Sequence, residues 1–252
     1  MTFKKHIPNF LTLLNLFFGT IAVFFAVKEQ LVVAAFFAFL GIFFDFLDGF
    51  AARILKVQGE LGKQLDSLAD VVTSGVVPGI VMFQLILASV SNKNWSIAGH
   101  SMQDLPLDSY LSIIYLTAII GLLITLAAAY RLAKFNIDER QTSSFIGLPT
   151  PAASLVVLSL PLILQYSSNE IVIHLIQSTW FLIGLTLLLC YMMNAEIPLF
   201  SLKFRDYSWK NNKVKITFVF LTLILVVMLQ FIAIPLVIVL YVLLSMFFKE
   251  KE

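Results

Sequence analysis

The sequence predicts an all-α fold: a polytopic integral membrane bundle of about eight transmembrane helices, with both termini cytosolic. Three observations lead there. Of the 252 residues, 60% are hydrophobic and 13% charged, and the mean hydropathy is +0.94; a soluble domain carries about a quarter charged residues. The runs 31–44, 111–129, 151–164 and 214–248 are too apolar and too long for a soluble core. The basic residues, finally, gather at alternate ends of the apolar runs.

Eight spans follow in order: 10–27, 31–55, 64–90, 110–135, 150–166, 171–194, 213–231 and 234–249. The first follows Lys4, Lys5 and His6, as in a signal peptide, but no small-residue cleavage site comes after it, so it reads as a retained span. The nine-residue link 54–62 makes spans 2 and 3 antiparallel neighbours, both without an evident break. The longest outer loop, about 91–109, carries His100, Asp104 and Asp108 and reads as solvated chain. Span 5 opens behind a Gly147-Leu-Pro149-Thr150-Pro151 turn. Spans 7 and 8 are separated by a tight turn at Ala233, Ile234 and Pro235. No repeat, linker or low-complexity tract divides the chain, so 1–252 is expected to form one membrane domain.

Placing the N-terminus in the cytosol puts Lys4, Lys5, Arg53, Lys56, Lys63, Arg131, Lys134, Arg140, Lys203, Arg205, Lys210, Lys213, Lys215, Lys249 and Lys251 on the cytosolic side, which is 15 of the 17 basic residues. Only Lys28 and Lys93 fall outside. The opposite orientation would reverse the positive-inside bias. The net charge is only +2, and no nucleic-acid partner is expected. The single cysteine, Cys190, excludes a disulfide framework and a metal site built on thiolates. His6, His100 and His174 have no partner at metal-ligand spacing.

Against this apolar background four carboxylates stand out. Asp45 and Asp48 are three residues apart near the end of span 2; Asp66 and Asp70 are four apart near the start of span 3. Each pair shares one helix face. Both pairs lie roughly 8–12 Å from the cytosolic helix ends, at one depth. An ionised carboxylate near the bilayer centre costs about 2.5–3.5 kcal/mol on insertion scales, and four together repel. One or two divalent cations such as Mg2+ or Mn2+, which prefer hard oxygen ligands, would remove both penalties. Gly49 and Ala52 share the face of Asp45, and Gly62 precedes Asp66 by four. Small residues there permit either close helix approach or a flat ligand lying against backbone.

The stretch 45–70 fits Asp-x2-Asp-Gly-x2-Ala-Arg-x8-Gly-x3-Asp-x3-Asp, through Asp45, Asp48, Gly49, Ala52, Arg53, Gly62, Asp66 and Asp70. It thereby resembles the CDP-alcohol phosphotransferase family. The resemblance implies Mg2+ or Mn2+, as two ions, on Asp45, Asp48, Asp66 and Asp70, with Asp70 as general base. It implies a CDP-lipid site that takes in Asn9, Thr12, Asp48, Gly49, Ala52, Arg53, Gly62, Asp66, Ser67, Thr73 and Ser74. It also implies a homodimer; the cell (inner) membrane is the expected location, and the charge asymmetry puts the active site on the cytosolic face. The chemistry is coherent: breaking a diphosphate needs positive charge on the leaving phosphate, and the attacking hydroxyl must shed a proton.

Three further stretches are similar to the phosphatidylserine synthase branch. They are Ile7-Pro8-Asn9-x-Leu11-Thr12, Arg131-Leu132-x-x-Phe135-Asn136, and Gly147-Leu148-Pro149-x-Pro151-Ala152-Ala153. Asn9, Thr12 and Asn15 recur every three residues and share a stripe of span 1. The branch implies CDP-diacylglycerol and L-serine as substrates, with acceptor contacts from Arg131, Asn136 and Pro149. Serine carries a carboxylate, for which an arginine is a fitting partner. The loop around Pro149 is placed where a lid would sit. The resemblance covers about 4–165, within an expected catalytic core of about 4–195, and leaves a C-terminal helix pair of about 213–249 without a role. Another acceptor, glycerol 3-phosphate or inositol phosphate, is the alternative within the family; both would call for a denser basic pocket. A cation transporter is the alternative outside it, though transport sites favour the midplane and discontinuous helices.

Overall fold

The computed structural model describes residues 2–57, 59–91, 113–138, 145–199 and 213–247. Its helices are α1 (Thr2–Val27), α2 (Leu31–Leu55), α3 (Glu60–Asp70), α4 (Val77–Val90), α5 (Ile113–Ala118), α6 (Leu123–Ile137), α7 (Thr150–Tyr166), α8 (Glu170–Gln177), α9 (Thr179–Asn194), α10 (Lys213–Leu229) and α11 (Ala233–Phe247). The described chain is all-α apart from one two-residue antiparallel pair, β1 (Phe145–Ile146) with β2 (Pro198–Leu199). Several helices are long and apolar enough to cross a membrane, among them His6–Val27, Leu31–Leu55, Glu60–Val90 and Ile114–Ile137. The protein is an integral membrane protein.

Pairing of α1 with α2 is written in small residues. The buried positions of α1 are Pro8, Thr12, Asn15, Gly19, Ala22 and Ala26, alternating four and three apart. Those of α2 include Ala34, Ala35, Ala38, Gly41 and Asp48. Small side chains let the two backbones approach, which is how helices associate where lipid removes the hydrophobic drive. Phe10, Leu13, Phe17 and Phe24 cover the opposite, exposed face of α1. Helices α4 and α7 form the centre, with long runs of buried residues such as Met82, Leu85, Ile86, Leu158 and Ile163.

Three details depart from the sequence reading. The third span runs as one continuous helix, Glu60–Val90, but its winding changes part-way. Residues Val71–Val76, directly after Asp70, form a π-helix joining α3 to α4. Hydrogen bonds from Thr73 Oγ1 to the Asn15 carbonyl (3.3 Å) and from Thr125 Oγ1 to the Gly75 carbonyl (3.0 Å) stitch it to α1 and α6. The sixth stretch is two helices, α8 and α9, bent by 75° at Ser178.

The last stretch, Lys215–Met246, would pass as one long apolar helix by length and composition. The rings of Phe218 and Tyr241 nevertheless lie 5.8 Å apart; a straight helix would separate these 23 positions by about 35 Å. The chain therefore reverses, and it does so at Gln230, whose φ is +48°, not at Ala233–Pro235. No glycine or proline marks that residue, which is why the sequence misplaced the turn. The hairpin packs on α7 through Tyr166 and Phe231, 5.5 Å apart. Its other end, Phe218 and Tyr241, clusters with Leu199 of β2.

The Gly147–Leu148 segment is hydrogen-bonded to the chain around the end of α9. Gly147 N–H donates to the Ile197 carbonyl (2.9 Å) and Leu148 N–H to the Met192 carbonyl (2.8 Å). Gly147 has φ +74°, and a Cβ there would lie 2.6 Å from the Met193 carbonyl oxygen, so only glycine fits. Apart from Ser91, the outer loop 91–109 with His100, Asp104 and Asp108 lies outside the described residues, as do Arg140, Lys203, Arg205, Lys210, Lys249 and Lys251.

Candidate active site

The two helices bearing the aspartates meet as their spacing predicts. One carboxylate oxygen from each of Asp45, Asp48 and Asp66 lies within 4.8 Å of the others. Asp70 adjoins them, one turn deeper on α3, close enough for the charges of Asp66 and Asp48 to act on it. Asp48 and Asp70 are buried, while Asp45 and Asp66 are half-buried. No lysine or arginine forms an ion pair with any of the four among the described residues. Three convergent anionic oxygens without a protein cation are a donor set suited to a hard divalent metal ion.

Helix α1 orients this cluster. Thr12 Oγ1 donates to Asp48 Oδ2 at 2.5 Å, and lies 3.1 Å from the Pro8 carbonyl. Asn15 Nδ2 donates to Asp70 Oδ1 at 3.2 Å. Thus Thr12 and Asn15, one turn apart on the stripe seen in the sequence, each hold one aspartate. Partners of this kind fix the rotamer of a metal-binding carboxylate.

The cluster opens into a cavity of about 470 Å3 lined by Asn9, Thr12, Asp48, Gly49, Ala52, Gly62 and Asp66, together with Pro8, Val57, Gly59, Glu60 and Lys63. Gly49 decides between the two readings of the small residues: a Cβ there would meet nothing within 4 Å. It faces open space, so close helix packing does not explain it. At Gly62 a Cβ would touch only Asn9 Oδ1, at 3.3 Å.

A match to the family model described as CDP-alcohol phosphatidyltransferase spans residues 5–192. The chain belongs to this family. A relative from Bacillus subtilis (strain 168), named CDP-diacylglycerol–serine O-phosphatidyltransferase, is 30% identical over 169 residues, 67% of this chain and 80% of the relative. One of the same name from Helicobacter pylori (strain J99) is 28% identical over 226 residues, 87% of this chain and 81% of its own. An archaetidylserine synthase from Methanothermobacter thermautotrophicus is 29% identical over 164 residues, 64% and 60% of the two chains.

As a member of this family the chain places its expected site residues unevenly. Asn9, Thr12, Asp48, Gly49, Ala52, Gly62 and Asp66 share the cavity wall. Arg53 is exposed and turns back to its own helix, Nε donating to the Gly49 carbonyl at 2.9 Å. Thr73 and Ser74 are buried in the π segment. Arg131 is buried on α6, within reach of the Asp70 charge, and its Nη1 lies 3.2 Å from Thr150 Oγ1. Its Nε has no hydrogen-bond partner, nor has the Oγ of Ser74 or of Ser154. Pro149 is the residue preceding α7. Ser67 and Asn136 bond to each other, Asn136 Nδ2 donating to Ser67 Oγ at 2.8 Å, and neither lines the cavity.

The sequence did not single out Thr150, Ser154, Lys63 or Glu60 for the site. Thr150 and Ser154 are spaced i, i+4 at the start of α7, a signal that was available. Lys63 was read as a cytosolic charge.

Proposed function

We propose that the protein transfers the phosphatidyl group of CDP-diacylglycerol to the hydroxyl of L-serine, giving phosphatidylserine and CMP. The reading rests on the convergence of Asp45, Asp48 and Asp66 at the head of a cavity walled by Gly49 and Gly62, in a chain similar to proteins named for that reaction. The nucleotide end of the donor occupies the cavity, and its acyl chains lie in lipid.

Asp45, Asp48 and Asp66, with Asp70, would hold Mg2+ or Mn2+, as two ions. Bound there, the metal supplies positive charge to the diphosphate and the departing CMP. The chain's own groups do the rest. Thr12 keeps Asp48 turned toward the cluster, and Asn15 holds one oxygen of Asp70 so that the other can take the proton of the serine hydroxyl. That hydroxyl then attacks the β-phosphorus. The unpaired Nε of Arg131 is a donor in a nearly dry setting, suited to the serine carboxylate. Thr150 orients the guanidinium.

The reaction site faces the cytosol in this reading, since the basic residues gather there and both CMP and serine are soluble. Residues of about 4–195 form the catalytic core of a single membrane domain. The enzyme acts as a homodimer in the cell (inner) membrane.

One assay tests the reading. Purified protein receives labelled CDP-diacylglycerol, Mg2+ or Mn2+, and a panel of alcohols. CMP release with serine alone is the expected result. Release only with glycerol 3-phosphate or an inositol phosphate replaces the acceptor, and no release with any alcohol overturns the transferase reading.

A further inference from the structure

The charged groups lining the cavity are unequal in sign: Asp48, Glu60 and Asp66 against a single cation, Lys63. Lys63 makes no ion pair among the described residues. Its Nζ instead donates to the Asn136 carbonyl at 2.6 Å. That carbonyl lies in the last turn of α6, where helix carbonyls have no intrahelical partner and the helix dipole is negative. An ammonium carries three donors. The α6 carbonyl accepts one, which leaves two available at the cavity wall.

The ammonium is also held in place. Asn136 Nδ2 donates to Ser67 Oγ, and Ser67 Oγ donates to the Lys63 carbonyl at 3.2 Å. Three hydrogen bonds therefore close a ring between the cytosolic end of α6 and one turn of α3. That turn contains Asp66. Lys63 is the member of the ring that reaches the cavity, whereas Ser67 and Asn136 stand behind it.

We propose that Lys63 binds the diphosphate of the nucleotide-activated donor, and that Asn136 and Ser67 are positioning residues that aim it. The inference rests on the reading of the cavity as the donor site. The chemistry fits: a diphosphate brings at least two negative charges to a wall that already holds three carboxylates, and Lys63 is the one lining side chain that opposes them. Lysine serves as a point charge for phosphate on a flexible stem. Neighbouring Gly62 and Gly59 keep the wall flat beside it.

The test compares ligands that differ only in phosphate. Binding of CDP and of cytidine to the purified full-length protein is measured with Mg2+ present, for wild type, Lys63→Met, Lys63→Arg and Asn136→Ala. Lys63→Met should weaken CDP binding about tenfold or more, the loss of roughly one charge-assisted hydrogen bond, and leave cytidine binding within twofold. Lys63→Arg should recover most of the CDP affinity. Asn136→Ala should weaken CDP binding by less than Lys63→Met does, again sparing cytidine. Unchanged CDP binding by Lys63→Met overturns the inference, as does an equal loss for CDP and cytidine, which marks a merely structural lysine. Should Lys63→Met not fold, CDP affinity in Lys63→Arg and Asn136→Ala decides: both indistinguishable from wild type overturns it. Wild-type protein that binds neither ligand refutes the donor-site reading itself.

Discussion

Helix α2 carries two glycines eight residues apart, and they sit in opposite surroundings. At Gly41 a Cβ would lie 2.7 Å from Thr73 Cγ2 and 3.1 Å from Asn15 Oδ1. At Gly49, about 12 Å further along, it would meet nothing within 4 Å. The interface of α1, α2 and the π segment is thus closed in its middle and open at its head. Gly19 belongs with the closed part, since a Cβ there would fall on Thr73 Oγ1. One residue type serves packing at one end and ligand access at the other, and the four aspartates lie where the first regime gives way to the second.

The boundary itself is the most sensitive place to test this contrast. Asp70→Asn keeps the shape and the bond from Asn15 while removing the proton acceptor. CMP release should fall on the order of 10^2–10^4-fold, with CDP binding largely retained by direct titration; a variant that turns over normally takes Asp70 out of the base role. Next comes the closed end. Gly41→Leu should cost about 1–3 kcal/mol or more by overpacking, read as a lowered melting temperature in detergent. Gly49→Leu should not lower that temperature and should instead lose donor affinity. Equal destabilisation by the two substitutions would erase the distinction between closed and open ends.

Subtler effects sharpen it further. Thr12→Val removes the donor to Asp48 and should raise the Mg2+ concentration needed for half-maximal CMP release about 10–100-fold. Arg131→Lys, within reach of the Asp70 charge but not among the residues lining the cavity, should raise the KM for serine roughly tenfold and leave that for CDP-diacylglycerol unaltered. If both KM values rise together, Arg131 serves the donor side instead. The smallest effect belongs to Gly49→Ala, which should raise stability slightly, by about 0.5–1 kcal/mol of helix propensity, while weakening CDP binding.

Much of this was legible before any coordinates. Spacings of three and four put each aspartate pair on one helix face, and the short link between spans 2 and 3 brought the pairs together. The stripe of Asn9, Thr12 and Asn15 marked the face of α1 that meets them. What could not be read has physical reasons. Spacing alone gives Gly41 and Gly49 the same meaning, because the open end is decided by where α3 begins relative to α1. A π turn has no residue signature of its own, so the change of winding at Val71–Val76 left no trace. The bond of Asn136 to Ser67 joins residues 69 apart in the chain, a pairing that no local spacing announces. The bend at Ser178 and the reversal at Gln230 fall in runs without glycine or proline, where tertiary packing sets the backbone.

The π segment has a consequence for how one helix can serve two masters. Inserting a wider turn advances the helical phase by about one residue, or roughly 100°. The carboxylate face of α3 can therefore look toward α1 and α2, while Met82, Leu85 and Ile86 of α4 keep the phase that the centre of the bundle requires. A single-residue deletion within 71–76 would restore uniform winding, and one of the two halves would then point the wrong way. The extra residue works as a clutch, letting the reactive head and the structural shaft of the same helix be set independently.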